Sequence, residues 1–297
     1  MLKLIRNFIN GLAIGLALII PGISVGTIIL IMGFYFELIE TVNHFFKDLR
    51  KSFTLMIPLL IGVAAGALFF SSIVDFLIIS YSFPTMLFFI GMAAGIVPPV
   101  YSKAREEGSL RPRDILLIVV PFVLVIATSL LREAAAPGHV EAAELIQMID
   151  LPYMIFLLFA GIITASALVI PGFSGAFVLL LFGVYHLAIY SISSLTDLLR
   201  DPSNLDLMIL LGRVIIPLGI GTVIGGLSMA RIIETLLKKH PRQVYLVILG
   251  LILGSVCALF RDPIVYASGV SGGVIALGLV TFALGGGLSF FLGKKRL

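Results

Sequence analysis

Formal charge along this chain comes in short clusters, and the stretches between them are apolar on every face rather than striped. Residues 7–36 carry no charge, nor do 52–74, 115–131, 214–230 and 243–260. A helix that is hydrophobic all round lies in a large core or in lipid, and about 20 apolar residues cross a hydrocarbon layer roughly 30 Å thick. The pattern predicts membrane-spanning helices over 52–79, 83–100, 115–131, 208–230, 243–260 and 272–293. Two stretches do not fit a single span: 7–42 is divided by Pro21-Gly22, and 151–195 by Pro171-Gly172. Proline removes a backbone donor and clashes with the preceding turn, while glycine frees the backbone, so a helix stops there. The 14 uncharged residues before the first break (7–20) make roughly 21 Å of helix. That is short of a crossing, and it predicts a re-entrant hairpin.

The two interrupted stretches are copies of one another. IIPGISVGTIILIMGFY (19–35) and VIPGFSGAFVLLLFGVY (169–185) match at an offset of 150 through Gly11/Gly161, Pro21/Pro171, Gly22/Gly172, Ser24/Ser174, Gly33/Gly183 and Tyr35/Tyr185. At an offset of 159 the likeness continues through Pro58/Pro217, Gly62/Gly221, Gly66/Gly225, Gly91/Gly250 and Gly95/Gly254. The sequence therefore predicts a first repeat over 1–131, an acidic external linker over 132–150 with a short surface helix, and a second repeat over 151–297. Each half holds one hairpin and three spans. An odd number of spans turns the second half upside down, so the expected fold class is an all-α integral membrane protein with an inverted-topology repeat. Gly91-x-x-x-Gly95 and Gly250-x-x-x-Gly254 permit close helix approach. They suit packing within the chain first and a homodimer second.

Composition agrees: 60% of residues are hydrophobic, 12% are charged and the mean hydropathy is +1.17. The distribution of the basic residues adds an orientation. Sixteen of the 20 Lys and Arg fall on one alternate set of connections, and the other set holds Arg132, Arg200, Arg213 and Arg261. By the positive-inside bias both termini are cytoplasmic, the first hairpin enters from the cytoplasm and the second from outside. Lys3 and Arg6 before an apolar run imitate a signal peptide, but the same arm recurs at 159–170, so the segment is taken as part of the fold. Cys257 is the single cysteine, which excludes an intrachain disulfide and offers no metal site.

Chemistry is expected at the breaks. Half-helix ends present unpaired N–H groups and the positive end of a dipole, which attract anions. Gly22, Gly26, Gly172, Gly175 and Ala176 let a headgroup approach the backbone, and Ser24, Thr27 and Ser174 add hydroxyl donors. The bland alternative is that Pro-Gly only kinks packed helices and the serines bond their own turns. Arg213 is the one basic residue written into a span. It offers a guanidinium fork for phosphate, or else it reaches outward to Asp206 or Asp201. Glu37 and His186, at nearly equivalent places after Tyr35 and Tyr185, are candidate proton carriers or interfacial residues. Asp75 and Glu234 align and are read as markers of span ends.

At these residues the chain resembles the polyprenyl-phosphate transporter family of bacteria and archaea. PGISVGT (21–27), Gly33, Tyr35 and Glu37 follow that family's first motif, with Val25 in place of a usual glycine and Phe36 inserted before the acid; IPGFSGAFVLLLFGVY follows the second. The resemblance covers nearly the whole chain. It implies retrieval of undecaprenyl phosphate, or another polyprenyl phosphate, from the outer to the cytoplasmic leaflet for cell-envelope synthesis. The implied partners are that lipid and the surrounding membrane lipids, with no cofactor, no metal, no nucleic acid and no catalytic residues. The residues by themselves leave a small-anion channel or exchanger open, since it would use the same dipoles. A serine hydrolase is a weaker alternative: Gly22-Ile23-Ser24-Val25-Gly26 lacks its strand–turn–helix setting, and of the four histidines (His44, His139, His186, His240) none is placed to serve Ser174.

Overall fold

The computed structural model describes residues 2–19, 24–45, 47–106, 111–134, 146–173, 175–201, 203–267, 269 and 271–296, and among them there is no strand. Leu, Ile, Val, Ala and Phe dominate these segments, and in lipid a helix is the form that satisfies its own backbone. The helices are α1 (Leu2–Ile19), α2 (Val25–Ile31), α3 (Tyr35–Asn43), α4 (Leu49–Gly95), α5 (Val97–Glu106), α6 (Asp114–Ala134) and α7 (Leu151–Val169). Then follow α8 (Gly175–Leu181), α9 (Tyr185–Ser193), α10 (Leu195–Arg200), α11 (Leu205–Lys239), α12 (Pro241–Arg261) and α13 (Gly272–Arg296). Seven described segments are long and apolar enough to cross a membrane: Leu49–Phe70, Phe76–Glu106, Asp114–Leu131, Leu151–Val169, Leu205–Lys239, Pro241–Arg261 and Gly272–Lys294. This is a multi-pass membrane protein, and the six spans expected from the sequence are all among the seven. The seventh is α7, expected as a hairpin arm.

Several span ends differ from the sequence reading, among them Phe70 and Phe76 against 79 and 83 and Lys239 against 230, and so do the connections around 79–83 and 132–150. The expected gap between 79 and 83 is a kink inside α4, where Tyr81 leaves helical geometry (φ −141°, ψ 46°) three residues before Pro84. Proline cannot donate to the preceding turn, and hydroxyls take up carbonyls around the bend. Thr85 Oγ1 donates to Leu77 O at 3.2 Å and Thr281 Oγ1 to Pro84 O at 2.7 Å. Of the linker, 132–134 continue α6, and the other described part is a 3₁₀ turn at Ile146–Met148 followed by Asp150, which caps α7 by accepting the Tyr153 N–H at 2.9 Å. The surface helix expected earlier in the linker falls mostly on 135–145, outside the described residues.

Contacts group the chain into two units that cut across the sequence repeat: residues 1–127, 171–173 and 230–297 form the first, and 128–170 with 174–229 the second. In the first, Val74, Met86, Leu87, Ile90, Leu259 and Val265 form an apolar cluster; in the second, Leu157, Val184, Leu187, Leu211 and Val214 do. Local structure nevertheless repeats with the sequence. Helices α2 and α8 have the same bounds at the offset of 150, as do α3 and α9. The turn between α2 and α3 bends the chain by 112°. It is made by Gly33 at φ 69°, and its copy by Gly183 at φ 70°. Phe34 N–H returns to Ile29 O, and Val184 N–H to Leu179 O.

The paired glycines are packing seams. A Cβ on Gly11 would run into Leu59 O of α4, and one on Gly62 into Phe8 O of α1; within the second unit, Gly161 meets Leu218 O and Gly221 meets Leu158 O in the same way. Within the first unit, Gly91 and Gly95 of α4 lie against Phe282 and Gly286 of α13, while Gly250 and Gly254 of α12 lie against Ile118 and Phe122 of α6. The G-x-x-x-G pairs thus serve packing within the chain. The second span of each sequence half packs on the third span of the other.

Candidate functional site

Gly22 and Ser174 lie outside the described residues, as does Pro21. Of the first motif Ile20 and Ile23 lie outside them as well, and the backbone of the remaining motif residues is described. Ser24 sits ahead of α2 in extended geometry (φ −81°, ψ 124°), and its carbonyl accepts Thr27 N–H at 3.0 Å. Its side chain does not cap its own helix. Instead Ser24 Oγ accepts the N–H of Gly172 at 3.2 Å, across 148 residues of sequence and wholly within the first unit. The serine of the first motif therefore holds the glycine of the second.

Gly172 is fixed from the other side as well. Its carbonyl accepts Ser255 Oγ of α12 at 3.0 Å, and the same hydroxyl lies 2.8 Å from Leu251 O. With φ at +84°, Gly172 occupies left-handed space, and a Cβ there would stand 2.8 Å from Ser255 Oγ and 2.9 Å from Leu251 O. Only glycine fits such a position without strain. Gly26 and Thr27 are buried in the first turn of α2, and Thr27 Oγ1 has no hydrogen-bond partner among the described residues. A buried hydroxyl without a partner is uncommon and costs free energy.

In the second unit, Gly175 opens α8 beside α7, with its Cβ position 3.2 Å from Thr164 O and 3.4 Å from Thr164 Cγ2. Thr164 Oγ1 is likewise buried and unpartnered among the described residues. Each motif's helix start thus has a nearby threonine hydroxyl with unused capacity. Arg213 is exposed, and its Nη1 reaches Ile149 O at 3.5 Å. Asp201 instead accepts from Ser203. His186 is exposed and rests edge-on against Tyr185, ring centroids 5.4 Å apart.

Glu37 is taken up by Arg6, whose Nη2 donates to both carboxylate oxygens at 2.9 Å. Glu234 does more than mark a span end: its carboxylate, largely buried, accepts from Asn43 Nδ2 of α3 and from Lys238 Nζ. Ser255, Thr164 and Arg6 are absent from the motifs. At the repeat offsets their counterparts are Ile96, Ile14 and Phe156, so the internal repeat does not point to them. The clue for Ser255 was its place directly after the Gly250–Gly254 seam.

The architecture is that of a multi-pass helical membrane protein whose halves repeat the same interrupted-helix motif. A family model for undecaprenyl phosphate translocase-like proteins matches residues 14–268, and the chain belongs to that family. It is 29% identical over 255 residues to a polyprenyl-phosphate transporter of Staphylococcus aureus, covering 86% of this chain and 85% of that one. It is 24% identical over 265 residues to a polyprenyl-phosphate transporter of Vibrio cholerae, covering 84% and 76%. No solved structure matches it.

Proposed function

We propose that this protein carries polyprenyl phosphate, undecaprenyl phosphate or a close analogue, from the outer to the cytoplasmic leaflet, returning the carrier to cell-envelope synthesis. The observation that carries the reading is the hydrogen bond from Gly172 N–H to Ser24 Oγ, beside the Thr27 hydroxyl, which has no partner among the described residues. Ser24 accepts in this bond and keeps its own proton. A phosphate oxygen inserted between the motifs would replace Ser24 as the acceptor for Gly172 N–H and take the Ser24 and Thr27 hydroxyls as donors. Gly22, Gly26, Ser174 and Gly175 are the other motif residues offered to the headgroup in this reading. Family membership and the names of the two relatives supply the lipid.

In this reading the halves are inverted repeats and the two interrupted stretches are re-entrant. The contact between motifs is a closed arrangement that parts toward one leaflet at a time. Arg213 receives the phosphate on the outer side, and Glu37 or His186 is the candidate coupling group. Proteoliposomes containing only this protein should move labelled undecaprenyl phosphate between leaflets, and folded protein that leaves the lipid in place would overturn the proposal. Passage of chloride or inorganic phosphate without lipid movement would establish the channel reading instead.

Orientation is tested separately. On a Cys257→Ser background, Ser203→Cys should react with an impermeant thiol reagent on intact cells, and Lys239→Cys only after permeabilisation. Reaction of Lys239→Cys from outside would exclude the inverted repeat with cytoplasmic termini.

A further inference from the structure

The starts of α1 and α4 and the first turn of α3, which carries Glu37 at the end of the first motif, enclose a cleft of about 270 Å³ within the first unit. We infer that this cleft binds the phosphate of a lipid monophosphate, as a second headgroup station; the assignment of its occupant to the carried lipid rests on the transport reading above. Four cations line it, Lys3, Arg6, Arg50 and Lys51, against two carboxylates, Glu37 and Asp48. Both carboxylates are engaged. Glu37 takes Arg6 Nη2 through both oxygens at 2.9 Å, and Asp48 caps α4 by accepting Lys51 N–H at 2.9 Å. Lys51 Nζ reaches Glu40 at 3.4 Å, while Lys3 and Arg50 make no ion pair among the described residues. Arg6 Nε is buried and has no acceptor there either.

The four cations outnumber the two carboxylates of the cleft, and with Glu40, which Lys51 reaches from outside it, one positive charge remains in excess, of the sign that attracts a phosphate monoester carrying about −1.5 to −2 at neutral pH. The volume lies below the roughly 300–1,000 Å³ of sites that enclose drug-sized ligands. It has room for a headgroup and none for a prenyl chain. The helices that bound it also expose Ile5 and Ile9 on α1, with Phe53 and Ile57 on α4, within two turns of the cations. In a bilayer these residues offer an apolar bed for the chain, which a free phosphate ion would not use. The station differs in kind from the paired motifs: cations bind here, whereas buried hydroxyls and a backbone N–H bind there.

The test reads the cleft itself. Thr54 lines it and is exposed. In full-length Cys257→Ser, Thr54→Cys protein, farnesyl monophosphate should slow modification at position 54 by a neutral thiol reagent at least tenfold. Equal concentrations of farnesol and of inorganic phosphate should not. Adding Lys3→Gln and Arg50→Gln should abolish the protection while leaving the unfolding temperature unchanged. No protection by farnesyl monophosphate, or equal protection by farnesol, overturns the site whether or not the protein moves lipid. Equal protection by inorganic phosphate makes it a free-anion site and overturns the lipid assignment. Charge-dependent protection in protein that moves no lipid between leaflets keeps the site and removes the transport reading.

Discussion

Gly172→Ala should destabilise the protein by about 2–5 kcal/mol and abolish lipid movement. Left-handed backbone costs an L-residue roughly 1–2 kcal/mol, and forcing a methyl into a filled space adds about 1–3 kcal/mol. Both apply at Gly172, where φ is +84° and Ser255 Oγ and Leu251 O stand 2.8 and 2.9 Å from the Cβ position. Gly183→Ala is the matched control. Its φ is +70° but nothing lies within 4 Å of its Cβ position, so only the backbone cost of about 1–2 kcal/mol applies. Denaturation in detergent measures both. Equal losses in the two variants would mean that the packing of the second motif against α12 contributes nothing. Ser24→Ala is less clean as a probe of binding than the sequence suggests, because it also strips the acceptor from a buried N–H, a cost of about 1–3 kcal/mol.

Asp114→Ala and Arg242→Ala should each cost about 3–5 kcal/mol, and the double variant much less than their sum. The two side chains, at the starts of α6 and α12, form an ion pair with 10% and 13% of their surface exposed, and Asp114 also accepts Arg111 N–H at 2.6 Å. Removing one partner takes from the other, largely buried charge its opposite charge, whereas removing both spares that penalty. A double-mutant cycle on folding stability reads the coupling. Additive losses would show that Asp114 and Arg242 act independently of each other.

The spans were legible because a lipid environment demands long uncharged runs, and the seams because Gly11, Gly62, Gly91 and their counterparts recur at fixed offsets. The kink at Tyr81 read as a gap, since Pro84 interrupts hydrogen bonding without ending the helix. Contacts that break the repeat were invisible. The Arg6–Glu37 pair has no copy, because the matching positions are Phe156 and Leu187. The partnership of Ser24 with Gly172 was half legible. Both residues stood out from the sequence, each as a feature of its own turn, and no local pattern says that a serine will hold a backbone 148 residues away.

The crossed packing of third spans has a consequence for biogenesis. The seam at Gly91 and Gly95 is translated well before its partner, α13, which begins at Gly272. Between those moments α4 must stand in the bilayer with a bare glycine face, while α6 waits more than a hundred residues for α12. Each half can close its first seam, Gly11 with Gly62 or Gly161 with Gly221, but not the packing of its second and third spans. Packing of α4 and α6 therefore waits on helices of the second half, and loss of α13 would strip Gly91 and Gly95 of their partner.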